Sequence, residues 1–179
     1  MSDLPERERL QPSLLDRLQD DEPNQRVESR DKRVLSMARF RDSVRRDLEH
    51  LLNTSNLHST LNALPPADRE KVDLSRYPEV QRSVINYGIP DLTGTTASGI
   101  DIREIERTLR QCIVDFEPRL VRNSVRVRAV VDPDTMGRTA VSFEIDATLW
   151  AHPLPLQMFL RTNIDLETGE ATVEDAGGG

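Results

Sequence analysis

A chain of 179 residues fits one domain and leaves little for a second. Charged residues make up 31% and the hydrophobic set 36%, so the core is modest and part of the chain is expected to stay extended. With 24 Lys+Arg against 31 Asp+Glu the net charge is -7, a field that repels polyanions and argues against non-specific nucleic-acid binding. The one cysteine, Cys112, excludes an internal disulfide and a thiolate metal cluster, which fits a reducing compartment. No apolar run approaches the ~20 residues of a membrane-spanning helix, and the acidic start lacks an apolar signal region, so a soluble cytoplasmic protein with no membrane insertion is expected.

Residues 1–32 read as a charged arm with one short helix. Leu10, Leu14, Leu15 and Leu18 form its apolar patch, Pro12 opens the first turn and Asp20-Asp21-Glu22-Pro23 closes it. From about Val34, Met37, Phe40, Val44, Leu48 and Leu51 recur at steps of three and four, which places them on one face of a long helix ending near Asn53-Thr54-Ser55. The stretch Arg26–Asp47 carries eight Lys+Arg against four acids. Two readings stay open for it, a solvated helix face and a docking surface for an acidic protein partner.

Ser55–Ser75 reads as a long polar connection, stiffened by Pro65-Pro66. Pro78 then suits a first helical position and Gly88 a left-handed cap, so a helix of two to three turns is expected, with Val80, Val84 and Tyr87 on one face. After the Thr93–Gly99 loop, Ile102, Ile105, Leu109, Cys112, Ile113 and Phe116 line a second long helix, begun near Ser98–Asp101 and stopped by Pro118. Cys112 lies in that stripe and reads as a small buried apolar residue.

Beyond Pro118 the period changes from helical to alternating. Val125, Val127, Ala129 and Val131 form one strand, and Val141, Phe143, Ile145, Ala147 and Leu149 a second. Their outward residues are Arg on one and Glu or Asp on the other, suited to cross-strand pairing in a hairpin. A third strand from Leu160 to Glu167 turns at Thr168-Gly169 into a short edge at Ala171–Val173, and residues 174–179 form a flexible tail. The fold class is therefore α+β: two long amphipathic helices and shorter ones on one face of a mainly antiparallel sheet of 3-4 strands, in a single domain over 33–173.

Chemistry has few footholds. His50, His58 and His152 have no metal-ligand spacing, and no glycine-rich phosphate loop or nucleophile-elbow pattern occurs. Carboxylate chemistry centres on Glu117, beside the apolar Phe116. A glycosidase acid needs a raised pKa, whereas Arg119 two residues away favours the ionised form, so an ion pair is the favoured reading.

Several blocks in order resemble the TssE family, the baseplate wedge subunits of type VI secretion systems. They are Gln11–Leu18, Ser43–Leu48 with Leu51–Thr54, Tyr77–Val80, Ser83–Leu92 and Phe116–Leu120. That family is similar to the small wedge protein of contractile phage tails and was historically labelled lysozyme-like. The resemblance implies a non-enzymatic subunit without cofactor or metal, joining wedge subunits and nucleating the contractile sheath. Its implied partners are the baseplate subunits TssF, TssG and TssK and the sheath proteins TssB and TssC, at the cytoplasmic face of the inner membrane. It implies protein-binding roles for Glu117, Pro118 and Arg119, with Tyr87 and Asp91 of the neighbouring block. On this reading Glu117→Ala or Arg119→Ala leaves the isolated domain folded, while the alternative is a lysozyme-like peptidoglycan hydrolase using Glu117. An unpaired strand edge would offer a second anchor, and the sequence leaves open which edge.

Overall fold

The computed structural model describes residue 18 and residues 36–62, 64–65, 74–94, 101–130, 140–151 and 154–176. Apart from Leu18, which is helical and exposed, the arm expected over residues 1–32 lies outside the described residues, as does the hairpin loop at 131–139.

The first long helix, α1, spans Met37–Leu52. It starts where the Ser36 hydroxyl accepts a hydrogen bond from the Arg39 N–H at 3.2 Å, and it buries Phe40, Val44, Leu48, Leu51 and Leu52 along one face. A short helix, α2, spans Leu57–Asn62, inside the segment expected to be a polar connection. Its cause is local: the Asn56 side-chain oxygen accepts from the Ser59 N–H at 2.9 Å and caps the first turn.

The expected helix between Pro78 and Gly88 is broken in two. A single turn, α3, spans Pro78–Gln81, and a 3-10 turn covers Val84–Asn86. Ser83 separates them with an extended backbone, its hydroxyl donating to the Val80 carbonyl at 2.8 Å. Val84 is therefore 83% exposed and does not share a core-facing stripe with Tyr87. Gly88 has φ +119° for a different reason than helix capping. A Cβ there would lie 2.2 Å from the Thr54 carbonyl oxygen, and this close approach lets Ile89 donate to that oxygen at 2.8 Å.

The second long helix, α4, spans Ile102–Phe116, with the Asp101 carboxylate accepting from the Arg103 and Glu104 N–H groups at 3.0 and 3.2 Å. Leu109, Cys112 and Ile113 are its buried residues. The strands follow as β1 Arg126–Val130, β2 Ala140–Leu149, β3 Leu156–Asp165 and β4 Ala171–Asp175. They form one antiparallel sheet in the order β1-β2-β3-β4, so the α+β reading holds.

Two strands run further than their alternation indicates. β3 starts at Leu156, which pairs with Leu149, and β4 continues through Glu174 and Asp175. The turn between them is fixed by Asp165, whose carboxylate accepts from the Glu167 and Thr168 N–H groups at 2.7 and 3.0 Å. Those bonds, Thr168 first and then Glu167, hold its pKa below the usual carboxylate value.

One sheet face is apolar and meets both long helices, α1 lying against β4 and α4 against β1. Phe143, Ile145, Ala147, Leu149, Met158, Leu160 and Ile164 are fully covered there, together with one polar residue, Thr162. Burying an aliphatic or aromatic side chain of this size contributes about 1.5–3 kcal/mol, which makes this layer the main source of stability. The opposite face is wet. Arg128 lies opposite Glu144 and Arg126 opposite Asp146, so opposite charges face each other across the strands, while the Glu144 carboxylate accepts from Arg161 of β3 at 3.1 Å.

Cys112 is buried, with its thiol directed to the Gly88 carbonyl at 3.1 Å. Burial, with the nearby Asp115 charge second, pushes its pKa up from 9.0 to about 12. Below about pH 9 the thiol is neutral in both states and stability is complete; above that the unfolded chain ionises while the folded one resists, so stability falls as pH rises toward 12. Urea midpoints measured across this range are expected to be flat to about pH 8.5 and then to fall, with a shallower fall in Cys112→Ala.

Candidate functional site

The site is the corner where α4 hands the chain to the sheet. Pro118 ends the helix, and Glu117 sits at its last cap position, donating its N–H to the Ile113 carbonyl at 2.9 Å. The next residues lie along the end of β2. Leu120 pairs with Leu149, the Val121 N–H donates to the Thr148 carbonyl at 2.8 Å, and the Trp150 N–H to the Arg119 carbonyl at 2.7 Å. With its backbone stitched to β2 on one side and to α4 on the other, the Arg119 side chain is directed toward α1.

There it binds three residues of two helices, Glu117 at the end of α4 and Asp47 and Ser43 on α1. Nε donates to Glu117 Oε1 at 2.7 Å and Nη2 donates to Glu117 Oε2, the paired geometry that a planar guanidinium makes with a carboxylate. Nη2 also reaches Asp47 Oδ2 on α1 at 2.6 Å, and Nη1 lies 3.4 Å from the Ser43 hydroxyl. Glu117 Oε1 further accepts the Arg119 N–H at 3.1 Å, and Arg46 donates to Asp47 Oδ1 at 3.2 Å. Glu117 is only 4% exposed, so its charge is compensated inside the protein. Burial alone would lower the Arg119 pKa, but the hydrogen bonds and charges of Glu117 and then Asp47 outweigh it and raise it.

Beside this ion cluster lies a hollow of about 340 Å³ lined by Asp47, Leu48, Leu51, Tyr87, Phe116, Glu117, Pro118 and Arg119. Tyr87 packs edge-on against Phe116, with ring centroids 5.3 Å apart at 67°. Its hydroxyl pKa is raised, first by burial and then by the Asp47 carboxylate. Of the five residues that the sequence puts forward, Tyr87, Glu117, Pro118 and Arg119 therefore meet at one place. Asp91 is exposed and outside the hollow lining. Its carboxylate braces the following turn by accepting from the Thr93 N–H at 2.9 Å and the Thr93 hydroxyl at 2.7 Å.

Sequence reasoning paired Glu117 with Arg119 and missed Asp47, 72 positions away, together with Ser43. Of the block Ser43–Leu48, Ser43, Arg46 and Asp47 belong to the corner, whereas Arg45 reaches the Val173 carbonyl of β4. The arrangement is poorly suited to acid catalysis. Both Glu117 oxygens are occupied by a cation that holds its proton firmly, whereas a general acid needs a proton of its own to donate.

An α+β domain whose most buried charge is locked into a helix-to-strand corner is built to hold a shape. The family model described as baseplate wedge protein gp25 matches residues 38–154, well over half of the chain, and the protein belongs to that family. Membership makes it a structural component of a baseplate of the contractile-tail type, in contact with other baseplate subunits. The matched span begins in α1 and ends between β2 and β3, leaving β3 and β4 beyond it. Comparison with curated proteins and with solved structures gives no match. Among the described residues no helix is long and apolar enough to cross a membrane.

Glu117 is buried and bound, so its removal leaves the Arg119 guanidinium with only Asp47 and Ser43, a cost to the isolated domain even where it stays folded. Urea unfolding of Glu117→Ala is expected to show a loss of about 3–5 kcal/mol, and Asp47→Ala, whose side chain is partly exposed, a loss of about 1 kcal/mol.

Proposed function

We propose that the protein is the TssE-type wedge subunit of a type VI secretion baseplate, joining TssF, TssG and TssK and providing a starting surface for the TssB and TssC sheath at the cytoplasmic face of the inner membrane. The observation that carries this reading is the corner itself. Glu117 and Arg119 hold a rigid bend, while Pro118 is exposed on its outside and Tyr87 and Phe116 form an apolar wall of the hollow beside it. A partner's apolar side chain entering that hollow would meet a preformed surface, and preformed pockets bind without a large ordering cost. The residues of the motif thus divide their work: Glu117 and Arg119 support the corner from within, and Pro118 and Tyr87 make the contact. Asp91 contributes by fixing the turn at the end of the Ser83–Leu92 block.

The hydrolase alternative lacks a supporting observation, since Glu117 is sealed by Arg119 rather than open to a substrate. Purified protein is expected to release no reducing sugar from peptidoglycan.

Capture of TssF and TssG by the full chain separates the roles. Pro118→Ala with Tyr87→Ala, in protein shown to be folded, is expected to reduce capture by about tenfold. Undiminished capture by that double variant would refute the corner as the wedge contact, and sugar release abolished by Glu117→Gln would restore the hydrolase.

A further inference from the structure

The outer face of the sheet turns apolar at one end. Outward side chains of β2 alternate through Glu144, Asp146 and Thr148, and the alternation carries on past the strand to Trp150, the chain's one tryptophan. Trp150 is 60% exposed between the buried Leu149 and Ala151. Val121 joins it from the corner segment. Its N–H donates to the Thr148 carbonyl beside the Leu120–Leu149 bridge, so its exposed side chain shares the face of Thr148 and Trp150. The turn that follows is tied to β2 as well, the Ser124 hydroxyl accepting from the Thr148 N–H at 2.8 Å. Leu154, between β2 and β3, is 73% exposed.

Beside this apolar end lies a run of positive charge without internal partners. From Pro118 to Val131 the sequence holds four arginines and no acid. Arg119 is bound by Glu117 and Asp47, whereas Arg122, Arg126 and Arg128 are exposed, and none of the three enters an ion pair or a side-chain hydrogen bond among the described residues. The acids facing two of them across the ladder do not hold them. Glu144 bonds Arg161 instead, and Asp146 forms no ion pair among the described residues. Arg41 and Arg45 of α1 differ in being held, by Asp175 and Glu49. The main chain at the sheet's two edges is likewise taken. On β4 the Asn53 carboxamide accepts from the Ala171 N–H at 2.9 Å and donates to the Ala171 carbonyl at 2.7 Å, and on β1 the Ala129 N–H donates to Glu106 at 2.7 Å.

We infer that Trp150, Val121 and Leu154, bordered by Arg122, Arg126 and Arg128, form a docking surface for an acidic segment of a partner protein. An apolar side chain of that segment covers Trp150, and its carboxylates pair with the arginines, whose forked guanidinium groups suit them. Charge specifies the occupant. Against the sign of the whole molecule, whose net charge is -7, this flank offers three unpaired cations to one unpaired acid, Asp146, and so favours an acidic segment over a basic one. The contact is made by side chains of the sheet's outer face and needs no strand to be added. Nor does Leu18 of the chain's own leucine stripe fill it, since Leu18 and Trp150 are both exposed. The inference rests on the wedge-subunit reading for the source of the segment and adds a second surface, beyond the hollow, with its chemistry.

The test uses the full chain and reads Trp150 directly, because no other tryptophan contributes to its fluorescence. The probes are two tryptophan-free amphipathic peptides of equal length, with leucine on one face and either glutamate or lysine on the other. The glutamate peptide is expected to shift Trp150 emission to the blue, to cut its quenching by acrylamide about threefold and to bind about tenfold more tightly than the lysine peptide. Arg122→Glu with Arg126→Glu, both exposed and so expected to keep the wild-type urea midpoint, is expected to abolish that preference. Equal binding of the two peptides, binding of neither, or a preference that survives the charge reversals overturns the inference. So does a red shift of Trp150 in the free chain on Leu14→Asp with Leu18→Asp, which would make the arm the occupant. Capture of TssF and TssG separates this surface from the reading beneath it. Capture undiminished by Trp150→Ala with Arg122→Glu leaves the wedge role standing and removes the surface, whereas a preference for the glutamate peptide without any capture keeps the surface and removes the wedge role.

Discussion

Arg119 binds two carboxylates from different parts of the chain, and the architecture around it follows from that demand. A helix that ends in a buried Glu117 must compensate the charge on the spot, because an unpaired carboxylate in such a place costs several kcal/mol. Pro118 turns the chain so that Arg119 can return to Glu117 from two residues away, and the same guanidinium extends to Asp47 on α1. One side chain thereby fixes the angle between the two long helices, the end of β2 and the hollow between them. The arrangement is rigid because Arg119 and Asp47 each have more than one partner and Glu117 takes three hydrogen bonds from Arg119.

A second constraint acts at the sheet's sides. A four-stranded antiparallel sheet has two exposed edges, and this protein covers both with helix side chains rather than with further strands. Satisfied edges of this kind keep the subunit from pairing unspecifically with other strands. They also give the arginine-rich helix a structural use. Arg41 and Arg45 run along β4, and Arg46 holds Asp47 in position for Arg119.

Much of the fold was legible because period and burial agree. Val127, Phe143, Ile145, Ala147, Leu149, Leu160 and Ile164 alternate in sequence and all lie on the covered face, and the α1 and α4 stripes turn inward as their spacing requires, buried at their centres and half-buried at Met37, Ile102, Ile105 and Phe116. The failures have local causes. α2 was hidden because its start depends on the Asn56 cap rather than on a long apolar stripe, and the Pro78–Gly88 helix broke because the Ser83 hydroxyl competes for a backbone carbonyl. Within the site, Glu117 and Arg119 could be paired from their spacing alone. Asp47 could not, since a contact across 72 positions leaves no periodic trace, and neither could Asn53, whose polar side chain looked like an ordinary helix end.

The central claim is that Arg119, Glu117 and Asp47 act as one unit that holds the corner. A double-mutant cycle of Arg119→Met and Glu117→Gln, followed by urea unfolding of all four proteins, measures that directly. The account predicts that the double variant is more stable than the sum of the single losses implies, by about 2 kcal/mol, because removing both charges leaves neither stranded. Losses that simply add would contradict it and reduce the corner to a chain turn with an incidental ion pair.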